Sequence, residues 1–194
     1  MIASPAHIQM RCLQIGLYLA SWGMMRGSSP ILQLSVRAFT PLLHTIAATP
    51  SRIWDIDLDT YTPETIQLLL GIKEAILTSL QESTNPSPWI PSDMLVSKIM
   101  LGIFGNTLAC DTYFTTAFGI RHFDTKGRGQ IAQVYQTHKT HMDTIALRTL
   151  DCDTGCQTHR AYPKAKILDM VGFIEGFKHY TTIKLACGLT TPCS

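Results

Sequence analysis

Apolar residues recur at helical spacing along most of the chain. Between residues 6 and 25 they fall at Ile8, Cys12, Ile15, Leu17, Leu19 and Trp22. That surface is wider than a single stripe and predicts a central, buried first helix. After the RGSSP break the pattern resumes from Ile31 to Ala48 as a second helix, with Pro41 inside it as a kink. Thr62 followed by Pro63 and Glu64 is a helix start. From there Ile66, Leu69, Leu70, Ile72, Ile76 and Leu80 carry a third helix to about Gln81. ESTNPSPWIP is the one proline-rich, linker-like stretch, so 83–91 is the candidate internal linker.

Ser92 caps a fourth helix that breaks at Gly105-Asn106, and Asp111 caps a fifth that runs to about Phe118 and closes at Gly119. RHFDTKGRG reads as a loop before a sixth helix, Gln130 to about Leu147. RTLDCDTGCQTHRAY changes period and predicts a small β-hairpin turning at Asp153-Thr154-Gly155. A last helix follows from Pro163 to about Tyr180. The expected architecture is mainly α: a single helical domain over 1–194, a bundle of about seven helices with one small β-hairpin.

Composition narrows the function classes. With 194 residues and 45% hydrophobic side chains the chain builds a sizeable core, which excludes a disordered protein. Only 15% of residues are charged, against about a quarter in ordinary soluble domains, which favours association. A net charge of +2 is too small to announce a nucleic-acid binder. It is unevenly spread, however: residues 98–194 carry eleven Lys and Arg against seven Asp and Glu, residues 1–97 five against seven. LQIGLYLASWGMM is too short to cross a bilayer and follows no basic start, so neither a signal peptide nor a membrane partner is expected. Two of the six cysteines, Cys12 and Cys110, sit in apolar helical stretches, as free thiols do, and a reduced, cytoplasmic protein is expected.

The richest chemistry lies in SDMLVSKIMLGIFGNTLACDTYF, residues 92–114. Two short helices joined by a Gly-containing turn, with Lys98 on the first and Asp111 starting the second, outline a helix-hairpin-helix. The segment resembles the corresponding part of base-excision DNA glycosylases. That resemblance implies Lys98 as nucleophile and Asp111 as its electrostatic partner, although FGNTLACD departs from the family's Gly-x-Gly turn. Without the family the same residues are a snorkelling lysine and a helix cap.

Arg37 and His44 are seven apart, on one helical face, and resemble the Arg-x4-6-His pattern of the all-α HEPN ribonucleases, with Pro41 between them. Asp55, Asp57 and Asp59 begin like a calcium loop, but Thr60 and Ile66 stand where glycine and a bidentate glutamate are needed. As an extended segment they would share one side. His138 and His141, and Cys152 with Cys156 and His159, are thin zinc signals, and no metal or other cofactor is assigned. Arg26, beside Gly27, Ser28 and Ser29, is the arginine best placed to bind an anion. Arg121, Lys126, Arg128 and Lys139 are the expected nucleic-acid patch.

GLYLASWGMMRGSS, MLVSKIMLGIFGNTLACDTYF and YPKAKILDMVGFIEG together resemble a mostly bacterial family of proteins of this size for which no activity is established. The resemblance implies one shared fold and directs attention to Trp22, Arg26, Lys98, Asp111, Lys164, Lys166 and Asp169. The expected function is a non-catalytic interaction or nucleic-acid-associated module, with nucleic acid or another protein as partner. The alternative is a nucleic-acid-processing enzyme, acting through Lys98 and Asp111 or through Arg37 and His44.

Overall fold

The structure, a computed structural model, describes residues 3–27, 29–83 and 89–186. Its helices are α1 (Ile8–Ser21), α2 (Thr40–Ala48), α3 (Pro63–Glu82), α4 (Asp93–Ile103), α5 (Thr112–Phe118), α6 (Thr125–Met142) and α7 (Lys164–Ala186). A single antiparallel pair, β1 (Arg148–Leu150) and β2 (Gln157–Ala161), separates α6 from α7. The protein is mainly α, with seven α-helices and one hairpin among the described residues. None of these helices is long and apolar enough to cross a membrane.

Several starts are written locally. Thr62, Ser92, Asp111 and Asp124 each accept a hydrogen bond from a backbone N–H in the first turn of the helix they precede. Gly119 closes α5 at φ +70. In the hairpin, Gly155 takes φ +68, and the Asp151 carboxylate gathers the N–H groups of Asp153 and Thr154.

Other expectations are corrected. Pro41 sits in the first turn of α2 and starts it, while residues 30–39 form two separate 3-10 turns, Pro30–Gln33 and Val36–Phe39. Asp124 opens α6 five residues early, and the helix stops at Met142. The DIDLD segment is not a strand: Asp57 caps a 3-10 turn, Leu58–Thr60. Nor is α1 central. It buries Cys12, Gly16 and Leu19 but leaves Met10, Leu13 and Leu17 exposed. Most of the 83–91 linker, residues 84–88, and the cysteines at 187 and 193 lie outside the described residues.

Two apolar clusters form the core. One gathers α1 to α4, and the other gathers α5, α6 and the start of α7. The connection from α4 to α5 runs between them and is itself buried, with Asn106, Thr107, Leu108 and Ala109 all without exposed surface. It is not a tight hairpin turn, and α5 packs on α7 rather than on α4. Gly172 and Gly176 make that packing close. A Cβ at Gly176 would fall 1.9 Å from the Tyr113 carbonyl oxygen, and one at Gly172 2.7 Å from the Phe114 ring.

The N-terminus of α7 is capped from far along the chain. Asp57 accepts from the Lys164 N–H at 2.7 Å and the Ala165 N–H at 2.8 Å. Lys164 then pairs with Asp59 at 2.5 Å and Asp143 at 3.1 Å.

Gly176→Ala is expected to destabilise the fold by about 1–3 kcal/mol, because its new methyl meets backbone that cannot step aside. Gly71→Ala in α3, where an added Cβ meets nothing within 4 Å, should instead stabilise by roughly 0.5–1 kcal/mol. Urea midpoints of the two variants against the parent check both signs.

Candidate functional site

Trp22 ends α1 and stands between two cavities. Lys98 Nζ lies 5.1 Å from its ring centroid and Lys166 Nζ 4.7 Å, both at cation–π range. Tyr18, one turn earlier, meets the Trp22 ring edge-on and donates its hydroxyl to the Lys98 carbonyl at 2.9 Å. That contact explains Gly102: a Cβ there would lie 2.2 Å from the Tyr18 ring.

On one side of Trp22 is a cleft of 580 Å³, lined by Trp54, Phe104, Tyr162, Arg160 and Lys166 among others. Trp54 packs edge-on against Phe104 at 4.6 Å, yet it and Tyr162 keep 40% and 38% of their surface exposed. Lys166 holds Asp169 at 3.4 Å, and the Arg160 side chain makes no hydrogen bond or ion pair among the described residues.

On the other side is a pocket of 330 Å³ bounded by Arg26, Lys98 and Asp111, with Tyr113 and Phe173 as aromatic walls. Lys98 is 5% exposed. Among the described residues its ammonium donates only to the Trp22 carbonyl at 3.3 Å and the Met24 sulfur at 3.6 Å. Burial pulls its pKa below the usual lysine range and the nearby Arg26 lowers it further, while Asp111 and Asp169 oppose both. Asp111 caps α5 through the Phe114 N–H at 2.9 Å. Lys98 and Asp111 thus face one pocket without touching as an ion pair.

Asp169 is buried between α7 and the α4–α5 connection, where it accepts from the Ala109 N–H at 2.9 Å. Burial raises its pKa, reinforced by Asp111, against the Ala109 bond and Lys166.

Of the expected nucleic-acid patch, Arg121 and Lys126 are exposed and line one small hollow. Arg128 is not on the surface at all. Fully buried, it donates to the Thr107 hydroxyl and, at 3.3 Å, to the Cys110 sulfur, with its guanidinium 4.0 Å from the Phe123 ring centroid. Lys139 is tied to Asp143 at 2.6 Å and to the Tyr135 hydroxyl. The four therefore do not make one exposed basic face. The helix-hairpin-helix expectation for Lys98 and Asp111 is corrected too, since their helices do not pair.

Arg37 lies in a 3-10 turn and His44 in α2, both exposed, so they share no helical face. Asp57 and Asp59 are spent on α7 and Lys164. Cys152 and Cys156 are exposed free thiols, and His159 stands on β2. His138 and His141 border a hollow of 410 Å³ that Glu175 and His179 also reach. Among the described residues no three His, Cys, Asp or Glu side chains come together to hold a metal.

Trp54, Arg160 and Tyr162 escaped the sequence reading. Their signal was a cation two positions before an aromatic, Arg52-Ile53-Trp54 and Arg160-Ala161-Tyr162. Comparison with known protein families, with curated proteins and with solved structures returned no match.

The raised pKa of Asp169 sets a pH signature. An unfolded aspartate titrates near pH ~4. Between there and its higher folded pKa the native chain holds the extra proton, so stability falls as pH rises through that window. Lys166, Lys98, Asp111 and Tyr18 surround the group and stay in place in Asp169→Asn. Melting temperatures taken at stepped pH should lose that descent in the variant; an identical profile would refute the assignment.

Proposed function

We propose that the protein is a non-catalytic binding module whose partner is single-stranded nucleic acid, held in the cleft beside Trp22. The observation that carries this reading is the pairing of half-exposed Trp54 and Tyr162 with the cations Arg160 and Lys166 around one 580 Å³ space. Unpaired bases stack on aromatic faces whatever their sequence, and neighbouring cations take the phosphates. A duplex presents no such bases. The contact surface is therefore the cleft and not the dispersed residues Arg121, Lys126, Arg128 and Lys139.

A second reading has its own support. A desolvated lysine with a lowered pKa, facing a pocket that also holds a carboxylate, is the environment of an amine nucleophile. Such an amine condenses with an aldehyde, releasing water, and borohydride fixes the resulting imine. An oligonucleotide carrying an abasic-site aldehyde is the probe. A covalent adduct that disappears in Lys98→Met would favour the enzyme; no adduct in the parent protein would remove that reading.

For the binding module, short single-stranded DNA or RNA should bind more tightly than duplex of the same length, with affinity falling steeply as salt rises. Trp54→Ala should weaken binding about tenfold or more, given roughly 1–3 kcal/mol per stacked base. Anisotropy titrations showing no binding at low salt would end the proposal.

A further inference from the structure

The pocket across Trp22 from the cleft has unmet charge. Among the described residues the Arg26 guanidinium, at the water-exposed rim, has no hydrogen bond or ion pair. Lys98, one of the most deeply buried cations in the chain, has only a carbonyl and a thioether as acceptors. Placing a cation out of water without an anionic contact costs several kcal/mol by order of magnitude. An anion resting on both groups would offset that cost at Lys98 and engage the donors of exposed Arg26.

Asp111 restricts which anion fits. One carboxylate oxygen is used by the Phe114 N–H, leaving the other as an acceptor beside the pocket. Inorganic phosphate can reach it only through its own P–OH, with its charge repelled by the carboxylate; a ligand that carries a hydroxyl on a neutral frame can donate to it while keeping its phosphate apart. Trp22, Tyr113 and Phe173 give the pocket flat apolar walls, and its 330 Å³ suits a small ring and not a polymer.

We infer that this pocket binds a phosphorylated sugar, with its phosphate on Arg26 and Lys98 and a hydroxyl on Asp111. The same chemistry occurs in a free pentose phosphate and at the 5′-phosphorylated end of a nucleic-acid strand. The site shares only the Trp22 ring with the cleft, so it does not depend on the cleft's occupant.

Isothermal titration of the full chain with ribose 5-phosphate, ribose and inorganic phosphate tests the inference. Ribose 5-phosphate should bind one to one, inorganic phosphate more weakly, and ribose not measurably. Arg26→Ala, at an exposed position, should lose about tenfold or more in affinity, as a charged hydrogen bond is worth. Asp111→Asn keeps a capping oxygen and removes the charge, so inorganic phosphate should gain and the preference for the sugar should vanish. A 5′-phosphorylated trinucleotide that outbinds its 5′-hydroxyl form would identify the strand end as the source; equal affinities with ribose 5-phosphate still bound would identify the free sugar. Absence of ribose 5-phosphate binding at millimolar concentration, or binding indifferent to Arg26→Ala, overturns the inference. Trp54→Ala should leave this site unchanged, so the cleft and the pocket fail separately.

Discussion

Between α4 and α5 the chain crosses the middle of the protein without secondary structure, and the rest of the fold is arranged to make that crossing tolerable. Backbone amides and carbonyls that leave water need partners, which is why irregular segments ordinarily run over the surface. Here the partners come from five directions. The Tyr61 hydroxyl donates to the Asn106 carbonyl at 2.6 Å, and the Asn106 amide donates to the Ile53 carbonyl at 3.0 Å. Arg128 reaches Thr107, Asp169 takes the Ala109 N–H, and the Ser97 hydroxyl takes the Cys110 N–H at 2.9 Å. Among the described residues, Asn106 Oδ1 and Arg128 Nε are left buried without a hydrogen bond. The two apolar clusters meet across this polar strip, and Lys98 and Asp111 are its bookends.

That arrangement explains what could be read from the chain and what could not. Helix starts were legible because capping is local: Thr62, Ser92 and Asp111 lie within three residues of the N–H groups they satisfy. The hairpin turn was legible for the same reason. Illegible were the decisions taken at long range. Asn106 beside Gly105 looks like a turn, and Gly105 does adopt φ +69, but the chain then enters the core instead of reversing onto α4. Arg128 looks like surface charge in a Gly-rich run, yet α6 starts at Thr125 under the Asp124 cap and carries Arg128 on its buried face, where Gly127 passes close to the His122 carbonyl. The exposure of α1 was misjudged because its apolar residues cover more surface than its neighbours can bury.

The same long-range origin applies to the candidate site. Trp22, Lys98 and Asp111 were visible as chemistry-bearing residues, but their meeting around one pocket depends on how α1 lies across α4. Trp54 and Tyr162 are separated by more than a hundred residues and become neighbours of one cleft only after the hairpin settles beside α4. Trp54 and Tyr162 stay half in water, flanked by Arg160, whose side chain has no partner among the described residues, and by Lys166, which holds Asp169, and so differ from the rings of the core.

Asp57 offers a last consequence. Its carboxylate caps a helix that begins 107 residues later, and the adjoining Asp59 holds the first lysine of that helix. During synthesis the early part of the chain emerges with this carboxylate unmatched, and α5 likewise lacks the glycine-lined surface of α7 against which it packs. The closing of this long loop therefore belongs late in folding, since contacts of high sequence separation form slowly. Until the ribosome has released α7, the second apolar cluster is a half-built surface, and the nascent protein is most open to mispairing in that interval.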